Sequence, residues 1–166
     1  MSLFVAAIGA AVTAIFELTV GPYLRVGDAQ PHLVFVLAVV WTVAVGLDSG
    51  LVWAFVGGLV LDTLAQRPLG STAFALLIVV GATAVLGRSL ARIRPIVAII
   101  ATLLLSLVYS MTLILLFSVL RPPSTLTDPL RIVAPGVLYD VIVAAILGPL
   151  AVSLRDRFVD EQRVPR

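Results

Sequence analysis

Charged residues are scarce in this chain: they make up 12% of its 166 residues, whereas 61% are hydrophobic and the mean hydropathy is +1.17. Soluble domains are roughly half apolar and about a quarter charged. The deficit excludes an ordinary soluble domain and predicts an all-α integral membrane protein. So little polar sequence remains outside the bilayer that nucleic-acid binding is excluded as a function.

Cysteine, lysine and asparagine are absent. Without cysteine the chain has no disulfide, no thiol nucleophile and no thiolate metal site. Its one histidine, His32, has no second histidine or cysteine with which to share a metal ion, so the sequence predicts no metal site. No glycine-rich loop shows phosphate-binding spacing, and no serine lies in a nucleophile elbow. We therefore expect neither enzymatic activity nor a cofactor.

Apolar segments of membrane-spanning length fill most of the chain. A helix needs about 20 apolar residues to cross the hydrocarbon core, with about 17 to 25 tolerated. Glycine, proline and arginine separate six such segments, which predicts a six-helix transmembrane bundle forming one domain, residues 1–166, with a cytoplasmic tail at 155–166. The predicted spans are about 2–24, 31–47, 49–66, 69–90, 95–120 and 131–154.

The arginines predict the orientation of these spans. If the N-terminus is cytoplasmic, the inner loops and the tail hold seven of the arginines and the outer loops hold four. Arginine and lysine are enriched in the cytoplasmic loops of membrane proteins. We therefore expect both termini to be cytoplasmic.

Three carboxylates lie inside predicted spans, each on a row of residues spaced four apart. Residues four apart share one helix face, and small residues let two helices approach closely. The acids are therefore expected to face neighbouring helices, and a row of hydroxyl residues could bond either a carboxylate or its own helix's carbonyls. The rows are Gly9, Thr13, Glu17 and Gly21; Gly50, Ala54, Gly58, Asp62 and Gln66; Gly136, Asp140, Ala144 and Gly148; and, with hydroxyls, Thr102, Ser106 and Ser110.

These acids have two interpretations, because a carboxylate is costly in hydrocarbon and needs a physical reason to be there. They are either buried polar anchors or part of a proton or cation path. Asp62 lies five residues before Arg67, near the outer boundary, where water and an arginine partner are within reach. We favour structural anchors. The residues predicted to shape the bundle are Gly50, Ala54, Gly58, Asp62, Pro68, Gly70, Glu17, Gly136 and Asp140.

Several short motifs occur in a recognisable order. They are Pro31-His32-Leu33-Val34, then Gly57-Gly58-Leu59-Val60-Leu61-Asp62, then Pro68-Leu69-Gly70, and finally Leu138-Tyr139-Asp140 with Gly148-Pro149. This order resembles the rod shape-determining protein MreD family. That family has Pro-Asp-Leu at the start of its second span, Gly-Leu-x-x-Asp in the third, a Pro-x-Gly turn, and Leu-Tyr-Asn near its C-terminus. His32 stands where the family often has Asp, and Asp140 where it often has Asn.

The resemblance implies a function in the bacterial cytoplasmic membrane. It implies a non-catalytic scaffold of the cell-elongation complex, which binds the single-span protein MreC and helps control cell shape and peptidoglycan synthesis. RodA, a class B penicillin-binding protein and, indirectly, the filament MreB are the further partners implied. It also implies a fold similar to the substrate-binding components of energy-coupling-factor vitamin transporters.

Two other functions stay open from the sequence. Ala6, Ala10 and Ala14 form a row similar to the one that vitamin-binding transporter components use against their coupling subunit. Such a component also needs convergent polar groups around its ligand, and the outer loops offer few. A proton-coupled carrier would need Asp62 or Asp140 to titrate during transport.

Overall fold

The computed structural model describes residues 2–25, 30–89, 94–120 and 129–160, which form six α-helices and no strand. This confirms the all-α prediction and the number of helices. The predicted loop beginning at residue 121 and the end of the tail, 161–166, lie outside the described residues, as do 26–29 and 90–93. The helices are α1 Ser2–Val20, continued by a 3-10 turn at Gly21–Leu24, α2 Leu33–Ala44, α3 Leu47–Leu64, α4 Ser71–Ser89, α5 Arg94–Leu120 and α6 Pro129–Asp160.

The helices differ in length relative to a bilayer. By length and composition, three helical stretches in the described part of the chain could cross a membrane, namely Leu3–Leu24, Leu47–Leu64 and Ile99–Leu120. The apolar stretches of the other three helices are shorter, at Leu33–Ala44, Ser71–Gly87 and Val133–Pro149. The bundle therefore combines helices that are long enough to cross a membrane with helices whose apolar stretches are shorter.

Helix α2 is the shortest and lies at the centre of the bundle. Its 12 residues span about 18 Å, less than the predicted stretch 31–47. Pro31 precedes its start, and Gly46, at φ +128°, follows its end in a conformation that residues with a Cβ rarely adopt. Helix α2 contacts every other helix, and most of its side chains are buried.

Small residues on α3 and α1 allow close contact of α3 with three other helices. A Cβ on Gly57 would lie 2.7 Å from Val34 Cγ1 on α2, and one on Gly58 would collide with the backbone of Ala73 on α4. A Cβ on Gly9 of α1 would meet the ring of Trp53 at 2.8 Å. Glycine at these positions lets the backbones approach more closely than any side chain would permit.

Helix α1 has one face in the bundle and one face outside it. Ala6, Ala10 and Ala14 are completely buried, whereas Phe4 and Ile8 are 80% and 65% exposed. The exposed apolar face suits lipid, and the alanine row is covered by the protein's own helices. That row is therefore not a surface on which a coupling subunit could dock.

Candidate functional site

Asp62, near the end of α3, holds the start of α4. The backbone N–H of Thr72 donates to both of its carboxylate oxygens at 3.1 Å, and the Ser71 hydroxyl donates to Oδ1 at 3.2 Å. The carboxyl side chain is fully buried. The first N–H groups of a helix have no partner within the helix, and here a carboxylate from the preceding helix supplies one.

The turn between α3 and α4 explains why Asp62 is needed there. Gly70 precedes the first residue of α4 and adopts φ +87°, a conformation suited to glycine. It has no side chain with which to cap the helix, so Asp62 performs that task from eight positions earlier in the chain. The Pro68 carbonyl accepts from the Ser71 N–H at 3.1 Å and closes the turn. Arg67 donates to the Thr72 hydroxyl at 3.4 Å and thus lies beside this contact.

Glu17, on α1, contacts the first turn of α2. Its Oε2 accepts a hydrogen bond from the backbone N–H of Val34 at 2.7 Å. Glu17 is 3% exposed and Val34 is fully buried. His32, the residue before α2, makes no side-chain capping bond to the helix. The cap is therefore supplied by another helix, as at α4.

Asp140, on α6, contacts the same end of α2. Its Oδ1 accepts from the backbone N–H of His32 at 2.9 Å, and its Oδ2 lies 3.1 Å from the His32 Nδ1. The Ser106 hydroxyl of α5 donates to Oδ2 at 2.6 Å. Asp140 is fully buried, so these contacts replace the water that its carboxylate would otherwise bind.

All three intramembrane acids make the same kind of contact. Each carboxylate accepts a backbone N–H at or beside the N-terminus of a helix other than its own, where the helix dipole favours negative charge. Where such a carboxylate is ionised, its hydrogen bonds are roughly twice as strong as neutral ones. The arrangement offsets the cost of placing an acid among apolar side chains and fixes where α2 and α4 begin.

The residues predicted to shape the bundle fall into two groups in the structure. Glu17, Asp140 and Gly136 meet at the start of α2, where a Cβ on Gly136 would lie 3.6 Å from the His32 ring. The others follow α3 into the turn before α4. In the second group, a Cβ added at Gly50 would collide with the Thr42 hydroxyl. The group consists of Gly50, Ala54, Gly58, Asp62, Pro68 and Gly70.

Sequence reasoning missed the contact of His32 and left the partner of Ser106 open. The sequence indicates no metal site at His32 and places it in a family-like motif, but it does not indicate that His32 contacts Asp140 through both its backbone N–H and its ring. The hydroxyl row left open which partner Ser106 would choose, and the structure shows the carboxylate. The signal for His32 was present, because His32 and Asp140 are the two positions that depart from the resembled pattern and they are in contact.

An apolar groove of about 460 Å³ lies beside the start of α2. Its floor is α2 and its walls are α1 and α6. Leu33 and Leu37, four residues apart, are half-buried and face the groove, while the α2 residues between them are buried. Thr13 contributes the one hydroxyl of the lining. The lining residues are Val12, Thr13 and Phe16 of α1, Leu33 and Leu37 of α2, and Val143, Ile146 and Leu147 of α6.

Replacing Asp62 by alanine should lower the yield of folded protein. The substitution removes the acceptor of the Thr72 N–H and the Ser71 hydroxyl, and a buried donor without a partner costs about 1 to 3 kcal/mol. The measurement is the monodisperse fraction in detergent together with the midpoint of thermal unfolding. Asp62→Asn keeps an acceptor oxygen and should lose less. Equal yield and midpoint for wild type and Asp62→Ala would contradict the anchor role.

The chain matches the model of a known protein family. The model of the family described as rod shape-determining protein MreD matches residues 1–156 of the chain. Comparisons with the curated proteins and with the solved structures found no match. The matched range contains the carboxylates, the turn before α4 and the groove.

Proposed function

Because the chain belongs to the rod shape-determining protein MreD family, we propose that it is a non-catalytic scaffold of the bacterial cell-elongation complex that binds an MreC-like single-span protein. Membership gives the protein a role in the rod-shape-determining system and makes it a membrane protein. The match over residues 1–156 is the observation that carries the proposal, since it covers nearly the whole chain. The proposed binding surface rests on the apolar groove, and the proposed orientation in the membrane rests on the arginines.

The apolar groove is suited to a turn of a partner's transmembrane helix. On each of its three helices the lining residues extend over five positions, which is about 6 Å and close to the 5.4 Å pitch of one helical turn. A cavity of about 150 Å³ can hold a benzene ring, so 460 Å³ has room for about three large apolar side chains. Its wall residues Val12 and Ile146 are 60% and 67% exposed, so a membrane-embedded helix can reach them.

The polar contacts agree with a scaffold rather than an enzyme. Within the described residues, the buried carboxylates accept hydrogen bonds from helix N-termini and neighbouring side chains, which is a structural use of these groups. The groove offers a hydroxyl from Thr13 and otherwise apolar side chains. The vitamin-transporter alternative is not favoured by these features, because its alanine row is buried and its ligand needs more polar groups.

The membrane setting of the proposal follows from the arginines. The protein lies in the cytoplasmic membrane with both termini in the cytoplasm, because seven arginines then face the cytoplasm and four face outward. Helices α2 and α4 then begin at the outer side. Through the MreC-like protein the scaffold acts on RodA and a class B penicillin-binding protein, and indirectly on MreB, in peptidoglycan synthesis.

Filling the groove should weaken partner binding. Ile146→Trp places a large ring in the groove, where it would occupy the space of the partner's side chains. We therefore expect recovery of a co-expressed MreC-like protein from the same cell to fall by about tenfold or more. The measurement is co-purification in mild detergent with equal amounts of scaffold on the resin. Leu104→Trp is the matched control, since Leu104 is also an exposed apolar helix residue but lies on α5, away from the groove.

Two outcomes would contradict this proposal. Failure of the wild-type protein to retain its MreC-like partner in repeated mild purifications would remove the scaffold function. Equal retention by Ile146→Trp and Leu104→Trp would remove the groove as the binding surface.

A further inference from the structure

Both walls of the apolar groove are attached to its floor at one end. Glu17 directly follows the α1 wall residue Phe16, and it accepts the N–H of Val34 at 2.7 Å. Asp140 lies three positions before the α6 wall residue Val143 and accepts the N–H of His32 at 2.9 Å. Each carboxylate therefore comes from a wall, and each N–H belongs to the start of the floor helix.

We propose that Glu17 and Asp140 form an α2 tether that sets the width of the groove. The two carboxylates hold the first turn of α2 between α1 and α6, and loss of either contact lets the walls move apart. The tether is a property of the isolated protein. Only its consequence for partner affinity rests on the proposed function.

The physical reason lies in the difference between polar and apolar contacts. Apolar contacts between a groove wall and α2 are non-directional and do not join specific pairs of atoms. The two carboxylate bonds join specific atoms, and an N–H left without a partner in apolar surroundings costs as much as a lost hydrogen bond. These bonds therefore define the separation of the walls at this end of the groove.

A third contact lies next to the tether, at the exposed surface of the protein. The Tyr139 hydroxyl, next to Asp140, donates to the carbonyl of Leu24 at 3.0 Å, and Leu24 ends the turn that follows α1. This bond is exposed, so water can replace it. The buried carboxylate bonds are the ones whose loss should change the groove.

A tether of this kind prepares the groove for its partner. The groove is already open in the isolated chain, so a helix that enters it does not have to separate the walls first. A preorganised site binds its partner more tightly because less conformational entropy is lost on binding. Release of the tether should therefore weaken the partner's affinity by about tenfold.

The absence of cysteine makes the width directly measurable. Spin labels on Val12→Cys and Ile146→Cys lie on opposite walls, and pulsed electron paramagnetic resonance gives their distance distribution in the full chain without any partner. We expect Glu17→Ala and Asp140→Ala to lengthen the mean distance by roughly 2 Å or to broaden it clearly, the scale of helix shifts in proteins. Glu17→Gln keeps an acceptor oxygen and should stay close to the unsubstituted protein.

Asp62→Ala is the matched control, because Asp62 holds α4 by the same chemistry and does not contact the groove. Identical distributions in the unsubstituted, Glu17→Ala and Asp140→Ala proteins would overturn the inference. An equal change in Asp62→Ala would overturn it as well, since general loosening would then be the cause. If the alanine variants do not fold, hydrogen exchange of the unsubstituted chain decides: slow exchange at His32 and Val34 supports the tether, and exchange as fast as at an exposed helix end overturns it.

No partner takes part in the distance measurement. Its result therefore does not depend on whether the proposed function is correct. A change in distance with unaltered partner affinity supports the tether and removes the groove as the partner's binding surface. An unaltered distance in variants that still retain the partner overturns the tether alone.

Discussion

Asp140→Ala is expected to cause a large loss of stability, about 2 to 5 kcal/mol in the free energy of unfolding. The substitution removes a hydrogen-bond partner shared by three groups, namely the His32 N–H, the His32 ring and the Ser106 hydroxyl. Polar contacts between membrane helices contribute roughly 0.6 to 2 kcal/mol each. The stability lost with all three contacts should therefore be larger than the stability lost with any one of them.

The measurement is reversible unfolding in mixed micelles of mild and denaturing detergent. Ser106→Ala is the matched control, because it removes one of the three contacts and should cost about 0.6 to 2 kcal/mol. In a double-mutant cycle the Ser106 substitution should have little further effect once Asp140 is alanine. Additive losses, or an unfolding free energy for Asp140→Ala within about 0.5 kcal/mol of wild type, would show that the carboxylate does not hold this junction.

Gly58→Ala is expected to be the most disruptive addition of a single methyl group. The new Cβ would collide with the Cα and N of Ala73, and a backbone cannot swing aside as a flexible side chain can. Overpacking costs typically about 1 to 3 kcal/mol. Moving α4 outward would also pull the Thr72 N–H from Asp62, so we expect a loss at or above the upper part of that range.

Gly81→Ala on α4 is the control for this prediction. Apart from its chain neighbours and the adjacent backbone of its own helix, no atom of the described residues lies within 4 Å of the place its Cβ would occupy. Alanine is favoured over glycine inside a helix by about 0.8 to 1 kcal/mol, so this substitution should raise the unfolding free energy. The two variants add the same atom to the same pair of helices with opposite expected signs. A neutral or stabilising Gly58→Ala would contradict the close contact of α3 with α4.

The extent to which the sequence predicted this structure depends on the kind of interaction involved. Helix number follows from apolar length and from proline and glycine breaks, so it was predictable. The positions of Gly58 and Asp62 on one face follow from four-residue spacing. These are local properties of one helix.

The partners of the acids were not predictable from spacing, since they depend on which helix ends meet in three dimensions. Nothing near Glu17 in the sequence indicates that it caps a helix that begins at Leu33. The shortness of α2 was also missed, because the stretch 31–47 is apolar throughout most of its length and hydropathy does not show where a helix stops. The contact between His32 and Asp140 links positions 108 apart, beyond the reach of any local pattern.

That separation has a consequence for biogenesis. The first turn of α2 enters the membrane when only α1 precedes it, and Glu17 is then present but Asp140 has not been synthesised. Ribosomes add about 5 to 20 residues per second, so the 108 positions from His32 to Asp140 take roughly 5 to 20 s. During this interval the His32 N–H depends on water or lipid headgroups. Truncated nascent chains that end before α6 should therefore remain accessible to protease or water-soluble reagents near His32, and arrival of the last helix should close this junction.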